Sequence, residues 1–144
     1  MESEWFTEKI NYYRGIRYAI VLNTRLGYRC GYVEIPENSP LYEKDLIESA
    51  NLINSVEVTF SGKLKHINGT WFIGWDHYHI YDGIDKDAIK KHYQNLPKDE
   101  LYKIITNAIE MSGGSDGKIY YLNDVENECF ETIDELLQKE LISL

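Results

Sequence analysis

The sequence predicts an α+β fold: a largely antiparallel sheet of about five strands with helices packed on one face. Three observations predict it. β-branched and aromatic runs separated by turn residues fill the first half of the chain. Apolar residues at helical spacing, with capping residues, fill the second half. The 144 residues, 43% of them hydrophobic, suit a single globular domain spanning residues 1–144.

The elements follow in order. Residues 1–14 read as a polar and aromatic lead-in, in part helical. "GIRYAIVLN" (15–23) and "YRCGYVEI" (28–35) read as strands, and "TRLG" between them makes a hairpin. Gly31 inside the second strand signals a bulge or a close backbone approach. "PENSP" (36–40) ends the pair, and Ser39-Pro40 predicts a helix start that stacks Tyr42, Leu46 and Ala50, with Ile47 beside them. "NSVEVTFSG" (54–62) alternates, with Val56, Val58 and Phe60 on one face. Asn68-Gly69 signals a two-residue hairpin between "KLKHI" and "TWFIGW". The expected sheet thus uses 16–23, 28–35, 54–61, 63–67 and 70–76.

Asp85 can cap the next helix, with Ile84 and Ile89 as its hydrophobic staple. A helix over 98–111 places Leu101, Ile104, Ile105, Ala108 and Ile109 on one face until Gly113-Gly114 stop it. "SGGSDGK" (112–118) is a flexible loop. The last helix, 124–140, starts at Asn123 or Asp124 with Asn123 and Glu126 as a capping box, and buries Val125, Cys129, Ile133, Leu136 and Leu137. The helices at 98–111 and 124–140 are expected to cover the sheet.

Charge and composition exclude several classes. A net charge of -9 repels phosphates, so general nucleic-acid binding is disfavoured. An acidic surface could instead meet a basic protein surface. No apolar run approaches the roughly 20 residues of a membrane span, and Met1-Glu2-Ser3-Glu4-Trp5 lacks a signal peptide's basic start, so a cytoplasmic protein is expected. Cys30 and Cys129 form no CxxC pair and suit reduced, buried positions. The loop Gly113 to Lys118 is one residue short of a phosphate-binding GxxxxGK, and a helix precedes it, so it reads as a linker.

The chemistry concentrates in "WFIGWDHYHIYDGID" (71–85). His77 and His79 share a face if the strand continues. If the strand ends near residue 76 and the chain turns, Asp76, His79 and Asp82 come together at spacing three. Such a carboxylate–imidazole group most often satisfies polar atoms at a strand end. It could also bind a ligand or a metal, or orient His for acid–base work. Trp71, Trp75, Tyr32, Tyr78 and Tyr81 could stack a planar ligand, although the core is the ordinary home for at least one of the two Trp. Arg14, Arg17, Arg25 and Arg29 are the only arginines, and Arg17 and Arg29 could project from the hairpin towards an anion; solvated strand ends are the commoner outcome. The candidate ligand-binding residues are therefore Asp76, His79, Asp82, Trp75, Tyr32 and Arg29. No catalytic residue is identified, and no metal or cofactor is called for.

The stretch "RYAIVLNTRLGYRCGYVEIPENSPLY" (17–42) resembles the opening of a family of small, mostly uncharacterised bacteriophage proteins. Cys30-Gly31-Tyr32-Val33 and Pro36 match its CGYV-then-Pro segment, and Pro40 and Tyr42 match a His-Pro-x-Tyr segment in which Ser39 replaces His. Of a His-Gly-Gly-Leu-Thr-Tyr/Phe landmark, only Thr59-Phe60 is kept. Trp71 to Asp82 fits Trp-Trp-Ile-Gly-Phe-Asp-x-x-His-x-x-Asp closely, and "YYLNDVENECFETIDELL" (120–137) is similar to the family's closing helix. The resemblance spans about residues 16–140. It implies a phage or prophage origin, a place in the host bacterial cytoplasm, and Asp76, His79 and Asp82 rather than His77 as the relevant group. It names no substrate. By association with such proteins, the expected function is a non-catalytic accessory protein that binds and blocks a bacterial defence component, either a protein or a small nucleotide signal. The alternative is a metal-assisted hydrolase built on Asp76, His79 and Asp82. A phage assembly part fits less well, since low-complexity arms and coiled-coil heptads are absent. A homo-oligomer is compatible with the composition.

Overall fold

The computed structural model describes residues 4–65, 67–79, 81–114 and 116–143. Its strands are β1 (Trp5–Tyr13), β2 (Ile16–Asn23), β3 (Tyr28–Glu34), β4 (Phe60–Gly62) and β5 (Phe72–Asp76). Its helices are α1 (Leu46–Leu52), α2 (Lys86–His92), α3 (Lys98–Met111) and α4 (Leu122–Gln138). The five strands form one antiparallel sheet in the order β1-β2-β3-β5-β4, so the fold is α+β.

Most of the lead-in expected over residues 1–14 is a strand instead, β1, which fills its described part between Glu4 and the turn at Arg14. β1 turns into β2 through Arg14-Gly15, at φ 51° and 81°. A two-residue hairpin turn of this kind needs positive φ at both central positions. Glycine supplies it freely and arginine rarely does, so the sequence signal is weak. The register of β1 against β2 shifts between Thr7 and Lys9. This bulge brings Glu8 and Lys9 to the same side, where Glu8 meets Arg29 and Lys9 meets Glu126 on α4.

The β2–β3 hairpin forms as expected. Asn23 is buried, and its side chain accepts from the N–H groups of Arg25 and Leu26, while Gly27 turns at φ 74°. Gly31 marks a close approach rather than a bulge: its pairing with Ile20 and Trp75 is in register. A Cβ there would stand 2.5 Å from the Trp75 ring.

Between β3 and β5 the sequence expectations need correction. Ser39 does not start a helix. Its hydroxyl accepts from the Leu41 N–H and donates to the Leu141 carbonyl, tying a turn to the end of the chain. Glu43 at φ 60° breaks any helix there, and α1 begins only after Asp45, whose carboxylate caps Glu48. Ile47 is therefore 73% exposed, not packed. The expected strand 54–61 shrinks to β4. Val56 and Val58 do pack into the main core, but Phe60 packs on the opposite face of the sheet. No strand forms over the described part of 63–67, and His66 lies outside the described residues. The Asn68-Gly69 hairpin is absent, because Gly62 pairs with Phe72 and the connection is wider. Gly69 instead lies tight against Glu34, Arg17 and Phe72.

Three cores result. Ile16, Tyr18, Ile20, Val33, Ile73 and Trp75 meet Val125, Cys129, Ile133 and Leu136 of α4 on one face of the sheet. Ala19, Val21 and Phe72 meet Ile67 on the other. Ile84, Ile89, Tyr93 and Ala108 form a third. Helix α3 packs on α2 and so does not cover the sheet as expected; α4 does. Asp85 caps α2 through the Ala88 N–H, and Gly113 and Gly114, at φ 73° and 69°, end α3. α4 starts at Leu122, one residue before Asn123 and two before Asp124, the two expected starts. The Asp124 carboxylate accepts from the Tyr121 N–H, and Glu126 serves Lys9 and Tyr18 rather than a capping box. Cys30 and Cys129 are free and buried. Among the described residues, no helix is long and apolar enough to cross a membrane.

Candidate functional site

Strand β5 ends where its own side chains take over the backbone. The Asp76 carboxylate accepts from the Tyr78 N–H at 3.0 Å and from the Thr59 hydroxyl at 3.1 Å. A turn follows, closed by the Asp82 N–H donating to the His79 carbonyl at 2.9 Å. Short local bonds of this type compete with ladder bonds and bend the chain out of the sheet. The Asp82 carboxylate is buried and takes both the His79 N–H, at 3.0 Å, and Nδ1, at 2.7 Å. A carboxylate can only accept, so Nδ1 carries the proton and Nε2 is directed away. The Tyr81 ring lies parallel to His79, with centroids 5.3 Å apart.

His77, two residues before, joins the same cleft. Its Nε2 lies 2.7 Å from Glu128 Oε1, which also accepts from the Trp75 indole N–H at 3.0 Å. Its ring stacks on Tyr120 at 3.5 Å. Between the two imidazoles lies a cavity of about 230 Å³, lined also by Glu57, Asp76, Asp82 and Glu128. Among the described residues, no lysine or arginine lines it. Four carboxylates against two imidazoles make it a cation-seeking site.

Ser55, Val56 and Glu57 form another wall of the cleft. Glu135 on α4 holds it, accepting from the N–H groups of Asn54 at 2.7 Å and Ser55 at 2.8 Å. Burial works against the Glu135 charge, but the Lys139 ammonium, these two N–H groups and the Ser55 hydroxyl outweigh it and hold the pKa down at about 2. A depressed carboxylate pKa stabilises the fold above the usual carboxylate range, and that contribution disappears as pH falls towards 2. Glu135→Ala is expected to cost about 1–3 kcal/mol at neutral pH, because two backbone donors lose a charged acceptor. Urea midpoints of both proteins from pH 7 to pH 3 should converge on the acid side. A constant gap would mean that the charge is not what holds the wall.

The hydrogen bond to Asp82 raises the His79 pKa; partial burial opposes it, and Asp82, Asp76 and Glu57 add attraction. A raised imidazole pKa stabilises the fold below the unfolded value of about 6.5 and ceases to do so as pH rises through the folded value. Melting temperatures of the wild type and of His79→Gln are therefore expected to differ most at mildly acidic pH and to approach each other on the alkaline side. Parallel curves would refute the charged pairing.

The structure divides the sequence-predicted residues. Asp76, His79, Asp82 and Trp75 all line the cleft, with Trp75 itself buried in the core and only its indole N–H engaged there. Asp76 bonds to Thr59 and Tyr78 rather than to His79. Tyr32 sits on the opposite face of the sheet, edge-on to Phe60. Arg29 is engaged by groups of the protein itself. It is 5% exposed and donates to both oxygens of Glu8, to Asp85 and to the Tyr120 carbonyl, on the floor of a separate cavity of about 740 Å³. Arg17 likewise serves Glu34 and the Asn68 carbonyl. Glu57, Tyr120 and Glu128 are additions that the sequence reading lacks, and His77 belongs to the cleft although that reading favours His79 over it. Only the position of Glu128, next to the buried Cys129 of the α4 stripe, hints that it sits near the sheet.

Fold and site together define an α+β domain carrying an acidic cleft with two carboxylate-paired imidazoles. The chain matches no protein-family model, no curated protein and no solved structure.

Proposed function

We propose that this is a non-catalytic binding protein, of phage or prophage origin, whose acidic cleft receives a basic side chain of a bacterial defence protein and so blocks it. The observation that carries this reading is the lining of the cleft. Glu57, Asp76, Asp82 and Glu128 face it with no lysine or arginine among the described lining residues. A phosphate would be repelled there, and a guanidinium or ammonium group would be attracted and could lie against Tyr81. This favours the protein partner over the nucleotide signal. The overall charge of -9 would speed encounter with a basic surface. The phage origin and the defence target rest on the resemblance of the 17–42 and 71–82 segments. The hydrolase alternative has less support, since among the described residues no group of three His, Cys, Asp or Glu is placed to hold a metal ion.

The test uses the imidazole NMR signals of His77 and His79. An arginine-containing peptide should shift both, a cyclic dinucleotide should shift neither, and Glu57→Gln with Glu128→Gln should weaken the peptide's effect. Response to the nucleotide alone would transfer the reading to a nucleotide signal. Stoichiometric zinc or manganese in the wild type, lost in His79→Ala, would overturn it in favour of the hydrolase.

A further inference from the structure

Strand β1 is an edge of the sheet, nine residues long, and among the described residues no strand pairs on its outer side. Natural edges are usually blunted by outward lysines, prolines or short length. β1 has no proline, and its one lysine and one glutamate are paired within the fold, with Glu126 and Arg29. The bulge at Thr7–Lys9 blunts the first part only. Beyond it, Ile10 is 46% exposed, Tyr12 is 64% exposed and Asn11 lies exposed between them.

The direction of the backbone groups follows from the turn. A two-residue hairpin closes with its flanking residues, here Tyr13 and Ile16, as a hydrogen-bonded pair. Alternation then points Asn11 and Lys9 towards β2, and leaves the N–H and C=O of Ile10 and Tyr12 pointing outward. In agreement, the Tyr12 N–H donates to the side chain of its own neighbour, Asn11 Oδ1, at 2.8 Å.

We propose that β1 pairs with β1 of a second copy of this chain, antiparallel about a two-fold axis through Asn11. That register sets Ile10 of each copy opposite Tyr12 of the other, so the outward-pointing groups meet each other. The Ile10 and Tyr12 side chains share one face, above Ala19 and Arg17, and form aromatic–aliphatic pairs across the new ladder. The patch is thus self-complementary, as a two-fold interface requires. Charge selects the same place. Most of a surface of net charge -9 repels a second copy, whereas β1 is neutral and has both its charges paired within the fold.

Sedimentation velocity of the full chain across a concentration series is expected to show a monomer–dimer equilibrium. Ile10→Lys should weaken it at least tenfold without lowering the melting temperature. Asn11→Cys should give a disulfide-linked dimer on mild oxidation, because opposed residues of a non-hydrogen-bonded pair have Cα atoms about 4.5 Å apart, within disulfide range. Glu48→Cys, exposed on α1, is the control. A wild type that stays monomeric overturns the proposal. So does a dimer indifferent to Ile10→Lys, or cross-linking of Asn11→Cys no faster than that of Glu48→Cys. A monomer whose β1 captures another protein's strand, and loses it in Ile10→Lys, also overturns it by assigning the edge to a different occupant.

Discussion

Arg29→Met is expected to destabilise the fold by about 3–5 kcal/mol, the range for removing one partner of a buried ion pair. The guanidinium is 5% exposed, and its partners Glu8 and Asp85 are 17% and 8% exposed. It joins the bulged part of β1, the cap of α2 and the chain entering α4, through Glu8, Asp85 and the Tyr120 carbonyl. Methionine fills much of the space but leaves two carboxylates without their cation. The triple variant Arg29→Met, Glu8→Gln, Asp85→Asn should recover part of the loss. It removes the uncompensated charges, and the amide introduced by Asp85→Asn keeps an oxygen that can cap the Ala88 N–H. Chemical denaturation of the three proteins would decide it. A single variant no less stable than the wild type would mean that Arg29 is free to serve an external ligand after all.

Leu136→Ala is expected to cost about 2–5 kcal/mol, the transfer free energy of the side chain plus a cavity. Leu136 is 0% exposed and lies in the cluster that joins α4 to the sheet. It also organises the C-terminal turn, because the Leu141 N–H donates to the Leu136 carbonyl at 2.9 Å. The comparison is Asp116→Ala, at an exposed position of the 112–118 loop, where surface substitutions stay within about 0.5 kcal/mol. The whole loop is not equally tolerant. Ser112 is buried and bonds the Ile109 carbonyl, Gly113 and Gly114 have positive φ, and the Lys118 carbonyl accepts from Gly83. Equal urea midpoints for Leu136→Ala and Asp116→Ala would place the core elsewhere.

Local structure is what the residues dictate without help from the rest of the fold. The alternation of β2 and β3, the apolar stripes of α3 and α4, the Asp85 cap with its Ile84 and Ile89 staple, and the turn pairing His79 with Asp82 all arise within a few residues. There a period of 2.0 or 3.6, or the reach of one short side chain, decides the outcome. The first strand is hidden in the sequence because its turn uses an arginine in a conformation that glycine normally supplies. The stretch 54–59 alternates like a strand, yet Glu135, 81 residues from Asn54, takes the N–H groups of Asn54 and Ser55, and only Thr59 at its far end bonds to the Gly74 carbonyl of β5. Arg29 carries the signature of an anion binder, but carboxylates 21 and 56 residues away claim it first. The cleft is half visible for the same reason. Asp76, His79 and Asp82 lie on one turn, while Glu128 reaches His77 from 51 residues away, across the packing of α4 on the sheet. Those partners are chosen by the packed core, because a buried charge or N–H group binds whichever complementary group is brought within about 3 Å, and sequence separation does not encode that distance.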